Sequence, residues 1–376
     1  MDRGSLAVSD AQILVAIGTL GGDMELVRTA FDGTVLGTLP MPEGCQNDFA
    51  AAGDGRSFLI ACSTGGTTTL GRIAEDGTLS WMPEPFEGGY PVLEPGGGDV
   101  LLLRSTSARG LTALLLRAGV PLGTDMVLGP SGYTRVAAYG AGRFLVVHSG
   151  EDGRIATFVS RDGGVQPVAG PLFPAAQISL AFDGSTFLVA GLEDGRAGSI
   201  FLRRLRLDGT WVEPEPRRVG SFSTGPGPFG SILNRADLAS DGSGSALLVF
   251  PRYVAELPFA TLRVHAHWLT TGAPLGDPCR SDEDCGSGAC ARGRCCAAAC
   301  DGACEACSAR GLCTTFCDAG APDAGDDASS SSRTDAGVAP PRTVPGCACR
   351  VARGESKGGL LVLALAVCAV LGRSRR

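Results

Sequence analysis

The chain is almost without lysine: Lys357 stands alone against 31 arginines among its 32 basic residues. Beside 56 glycines and abundant alanine, that deficit reflects codon supply in a GC-rich genome rather than selection for arginine chemistry. Histidine is nearly as scarce, with only His148, His265 and His267. A histidine-based metal or catalytic centre has few places to form. His265 and His267 are two apart on an expected strand and share one face, but no third ligand lies nearby in sequence, so both read as ordinary strand residues. His148 ends an apolar strand and reads as structural. The net charge of −7 lacks the basic surface that nucleic acid requires. No WD or kelch signature is present.

Catalytic motifs are also missing. Residues 225–230 fit the G-x-G-x-x-G spacing, but two prolines and no following helix exclude a dinucleotide turn. Ala61, Cys62, Ser63 and Gly65 lack the first glycine of a nucleophile elbow. Asp282, Glu283 and Asp284 have the wrong spacing for a calcium loop and are read as solvating their surroundings. Neither a catalytic residue nor a metal ligand is assigned, and no cofactor is expected.

What the first 276 residues do contain is a repeat. An apolar strand core recurs around Leu14, Leu59, Leu101, Leu145, Leu188 and Leu247, with steps of 45, 42, 44, 43 and 59 residues. A second turn follows 17 to 24 residues after each marker leucine: Asp32-Gly33, Asp76-Gly77, Ala118-Gly119, Asp162-Gly163, Asp208-Gly209 and Thr271-Gly272. Asp-Gly pairs suit a two-residue type I′ hairpin, which needs positive φ at both central positions. About 43 residues with two tight turns hold four short antiparallel strands, one propeller blade. Such a unit cannot bury both faces alone, so units stack around an axis. The expected fold class is all-β: a six-bladed β-propeller, with seven-bladed and incomplete rings as variants and a sandwich or solenoid as the alternative. The long fifth step is assigned to a Gly/Pro/Ser-rich loop over 220–231. The "DG..FLVA … R.DG.." rhythm resembles the degenerate propellers of large secreted myxobacterial proteins.

Composition then changes abruptly. Residues 277–317 hold Cys279, Cys285, Cys290, Cys295, Cys296, Cys300, Cys304, Cys307, Cys313 and Cys317. So short a stretch cannot build a sufficient apolar core, and disulfides take its place. Ten cysteines can all pair, and spacing does not give the pairing. The spacing resembles small extracellular knots of the form "C..D.DC..G.C..G.CC". Two zinc sites of four cysteines each, one using Cys304 and Cys307, are the competing reading. Cys45 and Cys62, in adjacent repeats, are either one more bridge or two buried thiols.

Residues 318–346 are low-complexity, rich in Asp-Ala-Gly and serine, and are expected to be a disordered linker. As a flexible coil their reach is roughly 30 Å. The tail, 347–376, starts at Gly346-Cys347-Ala348-Cys349. It continues after a polar spacer into an apolar run that includes Leu360, Leu361, Val362, Leu363, Leu365, Val367, Val370 and Leu371, and ends on Arg373, Arg375 and Arg376. As a hydrophobic helix that run measures about 18 Å, against roughly 30 Å of hydrocarbon. This tail resembles the MYXO-CTERM sorting signal of myxobacteria: a Gly-Cys motif, a short hydrophobic helix and an arginine cluster. The resemblance implies cleavage by a sorting protease, lipid attachment at Cys347 or at Cys349, and surface display. A plain anchor helix with both cysteines bonded is the alternative. The membrane is the expected partner through this tail. No export signal is visible: 13–20 is apolar, but Asp10 precedes it and no cleavage site follows, so it reads as strand. A misassigned start, with a blade or closing strand missing, is one explanation.

The expected function is a non-enzymatic binding or scaffold protein, anchored in the cell envelope and facing outward, with an extracellular protein or polysaccharide ligand. The alternatives are a propeller hydrolase or lyase with a site in the central channel, and a metal-binding cysteine module.

Overall fold

The computed structural model describes residues 5–315 apart from short internal stretches, the longest being 224–235. The linker and tail, with Cys347, Cys349 and the apolar run, lie outside the described residues, as do Cys304 and Cys317. Among the described residues no helix is long and apolar enough to cross a membrane.

Strands dominate, and the marker leucines fall at the same place in each of six units. They lie on second strands: Gln12–Gly18, Ser57–Thr64, Asp99–Thr106, Arg143–Gly150, Phe187–Leu192 and Ser245–Glu256. Each pairs antiparallel with a first strand: Ser5–Val8, Phe49–Asp54, Gly89–Gly96, Arg135–Gly140, Gln177–Phe182 and Asp237–Ser240. Third and fourth strands complete units one to five in simple up-and-down order. The first strands of successive units lie beside one another, so the sheets fan from a common axis. This is propeller architecture.

Period-two alternation explains the packing. The second strands of units two to five are apolar on both faces because both are covered. In unit three, Leu101 and Leu103 face Phe144 and Val146 of unit four. Val100 and Leu102, on the other face, pack on Leu59 and Leu70 of unit two. Phe58, Phe144 and Phe187 fill equivalent positions and are no more than 1 % exposed.

Unit six departs from the pattern. It has three strands, ending in a long hairpin of Ser245–Glu256 with Phe259–Thr270. It joins the sheet of unit five through one parallel contact, Ser223 with Arg252. The expected loop over 220–231 is therefore partly wrong: 220–223 end the strand Arg217–Ser223, and the rest lies outside the described residues. Outward-facing apolar groups remain on both end units, with Val8 43 % and Trp268 42 % exposed.

The second turns of units one to five fall where expected, but their type differs; Thr271 of the sixth lies outside the described residues. At Asp32-Gly33 the Gly33 amide donates to the Ala30 carbonyl and the Ala30 amide to the Thr34 carbonyl. Only Gly33 has positive φ. This is a three-residue loop, a type I turn closed by a glycine bulge. The same bonds recur at Gly77, Gly163 and Gly209. The aspartate is selected as an acceptor: Asp32, Asp76 and Asp208 each take the amide of the threonine two residues on, at 2.8–2.9 Å. Those bonds hold the Asp32 and Asp76 carboxyls below the usual carboxylate range. The type I′ form does occur at Ala118-Gly119, where both residues have positive φ.

The eight described cysteines of the module are disulfide-bonded, which leaves none of them free for the zinc sites considered above. Cys279 pairs with Cys290, Cys285 with Cys295, Cys296 with Cys307, and Cys300 with Cys313. Cys307 is thus unavailable to the zinc pair considered above. The sulfurs of Cys279, Cys285 and Cys290 do cluster, but each belongs to a bridge. Each half of the module is tied by two interlocking bridges. Asp282 and Asp284 brace the first half rather than merely solvate it, accepting the amides of Cys290 and Arg280. Cys45 and Cys62 form a fifth bridge, in the head. The module docks on the head: Arg204 and Arg206 of unit five donate to the carbonyls of Gly286 and Ser287, at 2.8 and 2.7 Å. Leu275 and Ala297 pack at the junction of units four and five.

Candidate functional site

Three residues beyond each marker leucine lies the position that, in units two, three, four and six, faces the preceding unit. That position holds Ile17, Cys62, Arg104, His148, Gly191 and Phe250. Cys62 is held in its bridge to Cys45. Arg104 and His148 are polar groups at a level where the junction is otherwise apolar.

Arg104 lies in the cleft between units two and three and is 3 % exposed. One terminal nitrogen, Nη2, donates to the Asp125 carboxylate. Arg109 lies 4.0 Å from the other oxygen of that carboxylate. The Phe86 ring covers the guanidinium, with Cζ 4.9 Å from its centroid. Arg104 Nε and Nη1 are enclosed with no acceptor among the described residues. Leaving such donors unmatched costs on the order of 1–3 kcal/mol.

The backbone opposite Arg104 is irregular. Gly89 pairs with Ser105 and Val92 with Leu103, so Tyr90 and Pro91 together face Arg104 in a β-bulge. Bulges re-aim side chains. Tyr90 has φ 56, a left-handed conformation that a bulky residue rarely adopts, and is 48 % exposed. Gly88, two residues earlier, has φ 107, and a Cβ there would meet the Ser105 carbonyl at 2.8 Å. Only glycine permits that approach.

The next cleft, between units three and four, holds His148, fully buried. Its Nδ1 lies 3.0 Å from the Ser149 carbonyl and so carries the proton. Its Nε2 is enclosed without a partner among the described residues. Burial keeps its pKa below the usual histidine value, so the ring stays neutral. Between units five and six, His265 stacks on Phe250 at 5.9 Å and also encloses an unmatched Nε2. The two strand histidines do share a face, but His267 is bonded to the Val219 carbonyl. Among the described residues no histidine belongs to a metal-capable cluster.

A second exceptional position lies on the first strands. The residues paired with the marker leucines are Ala7, Ala52, Glu94, Ala138, Ala181 and Ala239. Five alanines and one glutamate occupy equivalent places. Glu94 accepts the Tyr139 amide of unit four at 3.3 Å. Desolvation in this junction pushes its carboxyl up to about 8. By contrast, Asp99 nearby is held below the usual range by Arg117 and Arg161, at 2.8 and 2.6 Å.

Motif searching finds neither Arg104 nor Glu94, because neither belongs to a linear motif. Aligning the six units on their marker leucines exposes both, as the odd residues of their columns. The eight described cysteines of the module, by contrast, sit together as their spacing suggests.

No protein family model matches the sequence, and no curated protein matches it either. Solved structures of similar fold do exist. The BP39L lectin from Burkholderia pseudomallei is 14 % identical, with 73 % of this chain and 85 % of that one aligned and a TM-score of 0.51. The Aleuria aurantia lectin, in complex with Fucalpha1-6GlcNAc, is 13 % identical over 73 % and 98 %, with a TM-score of 0.46. A subtype N10 neuraminidase-like protein of A/little yellow-shouldered bat/Guatemala is 13 % identical over 70 % and 94 %, with a TM-score of 0.44. At such identities the likeness concerns the fold alone.

Proposed function

We propose that this propeller is the head of a non-enzymatic binding protein displayed on the outside of the cell envelope. The observation that carries the reading is the Arg104 cleft: a buried cation with unmatched donors, an aromatic cover and an exposed aromatic neighbour. Those are recognition groups. Among the described residues they come without a free nucleophile hydrogen-bonded to a base. Propellers host both binding and catalysis, so the site decides and not the fold.

Display on the surface follows from chemistry along the rest of the chain. Bridges in both head and module require an oxidising compartment. The linker holds the head away from its anchor. The tail supplies the membrane address, with cleavage by a sorting protease and lipid attachment at Cys347 or Cys349. Intact mass and membrane fractionation from the native host test this. The expected product lacks the tail from about Cys347 onward and carries a lipid. A full-length inner-membrane product means a plain anchor. A soluble cytosolic product with free thiols defeats the reading.

One observation favours the second reading, a propeller hydrolase or lyase. Glu94 keeps its proton near neutral pH, as a general acid must. Hydrolysis of a polysaccharide abolished by Glu94→Gln would replace binding with catalysis.

A further inference from the structure

We propose that the cleft between units two and three is a saccharide site, in which Arg104 and Asp125 bind ring oxygens and hydroxyls while Phe86 and Tyr90 flank the apolar face of the sugar. The proposal rests on the binding-protein reading above and names its ligand class.

Three features of this cleft point to a ligand. The first is donor supply. Arg104 uses Nη2 on Asp125, leaving the N–H groups of Nε and Nη1 without an acceptor among the described residues. A buried cation kept in that state is a group awaiting oxygen atoms from outside the protein. The second is chemistry of both signs within one side chain's reach. Arg104 donates and the partly exposed Asp125 carboxylate accepts, and a vicinal diol needs both. The third is aromatic surface, which suits the C–H face of a pyranose. Phe86 already covers the guanidinium, and Tyr90 is half-exposed at the bulge that lies opposite Arg104 in the strand pairing.

Access runs through the cover. Phe86 lies on a two-residue strand, Phe86–Glu87, paired with Thr67 and Thr68, and its ring also packs on the apolar cluster between units two and three. Pro83 and Pro85 precede it and bring no amide to anchor it. Opening gives up the ring–cation contact and part of the ring's apolar packing, and charge-assisted hydrogen bonds to the sugar replace them. Tyr90 makes the functional argument separable from the structural one. Its left-handed backbone is strained for tyrosine and relaxed for glycine. A tyrosine where glycine would relieve that strain points to a role for its side chain.

The test is calorimetric titration of the full chain with the methyl α-glycosides of glucose, galactose, mannose and fucose. The wild type is expected to bind at least one saturably. Arg104→Met is expected to weaken that binding more than tenfold. Tyr90→Gly should weaken it several-fold while its melting temperature holds or rises, which separates lost recognition from lost folding. Wild-type affinity in both variants would overturn the site and leave a saccharide-binding head with its site elsewhere. Binding of none of the four glycosides at millimolar concentration would overturn the ligand class, while mass and fractionation still decide display independently.

Discussion

In the head, the largest fully buried side chains are Phe58, Phe144, Phe187 and the leucines around them; in the module Cys295, Cys296 and the small Ser287 are fully buried. The head buries large apolar groups on both faces of its second strands. The module offers little beyond Ala289 and its own sulfurs. Enough chain lets area hold a fold together, and too little chain needs covalent staples. The two regions should therefore fail under different insults, and several experiments press on that difference.

The largest effect is expected from reduction. Four described bridges, each worth about 2–4 kcal/mol, exceed what the module holds by other means. A thiol reductant should open it to protease while the head, with Cys45–Cys62 as its described bridge, keeps its strand signal. Cleavage mapped by mass should fall beyond residue 276. Equal resistance in both regions would mean that the module has a core of its own. Next comes Phe144→Ala, the mirror-image experiment. It removes a ring packed between units three and four and should cost about 3–5 kcal/mol. The midpoint of head unfolding should fall while the bridges of the module stay formed.

The third prediction sharpens a contrast inside the head, between Glu94 and the five alanines at equivalent places. Its folded pKa is raised from 4.5 to about 8. The folded state thus keeps a proton that the unfolded chain releases above about pH 4.5. Stability from this proton is complete below that value and is lost as pH rises through about 8. Urea midpoints should decline across this window in the wild type, and Glu94→Gln should flatten the decline. An unchanged slope would place the titrating group elsewhere. The smallest effect concerns the seam between the two regions. Arg206→Ala removes one bond to the Ser287 carbonyl and should cost about 1 kcal/mol. Faster hydrogen exchange around Ser287, with the interior of the head unaffected, is the signature.

The repeat was legible because its signals are local. An apolar strand and a tight turn can be seen in one dimension, and six marker leucines fall on six second strands. The turn type was not legible, because Asp-Gly serves two geometries. The choice went to the one in which Asp32 caps Thr34, and the threonine at Thr34, Thr78 and Thr210 was the overlooked cue. The disulfide pairing was not legible either, since spacing is indifferent to which sulfurs meet. Arg104 and Glu94 escaped notice for a third reason. Their importance is relational: one is a cation where neighbours are apolar, the other an acid where neighbours are alanine. Such meaning appears only when six strands are laid in register.

The interlocking bridges have one more consequence, which is mechanical. Cys279–Cys290 overlaps Cys285–Cys295, and Cys296–Cys307 overlaps Cys300–Cys313. Cys295 and Cys296 are adjacent, so a covalent path runs nearly without slack from one end of the module to the other. Tension applied from the C-terminal side would pass through sulfur rather than unravel loops. A pull from that side would reach the head through a short, stiff neck.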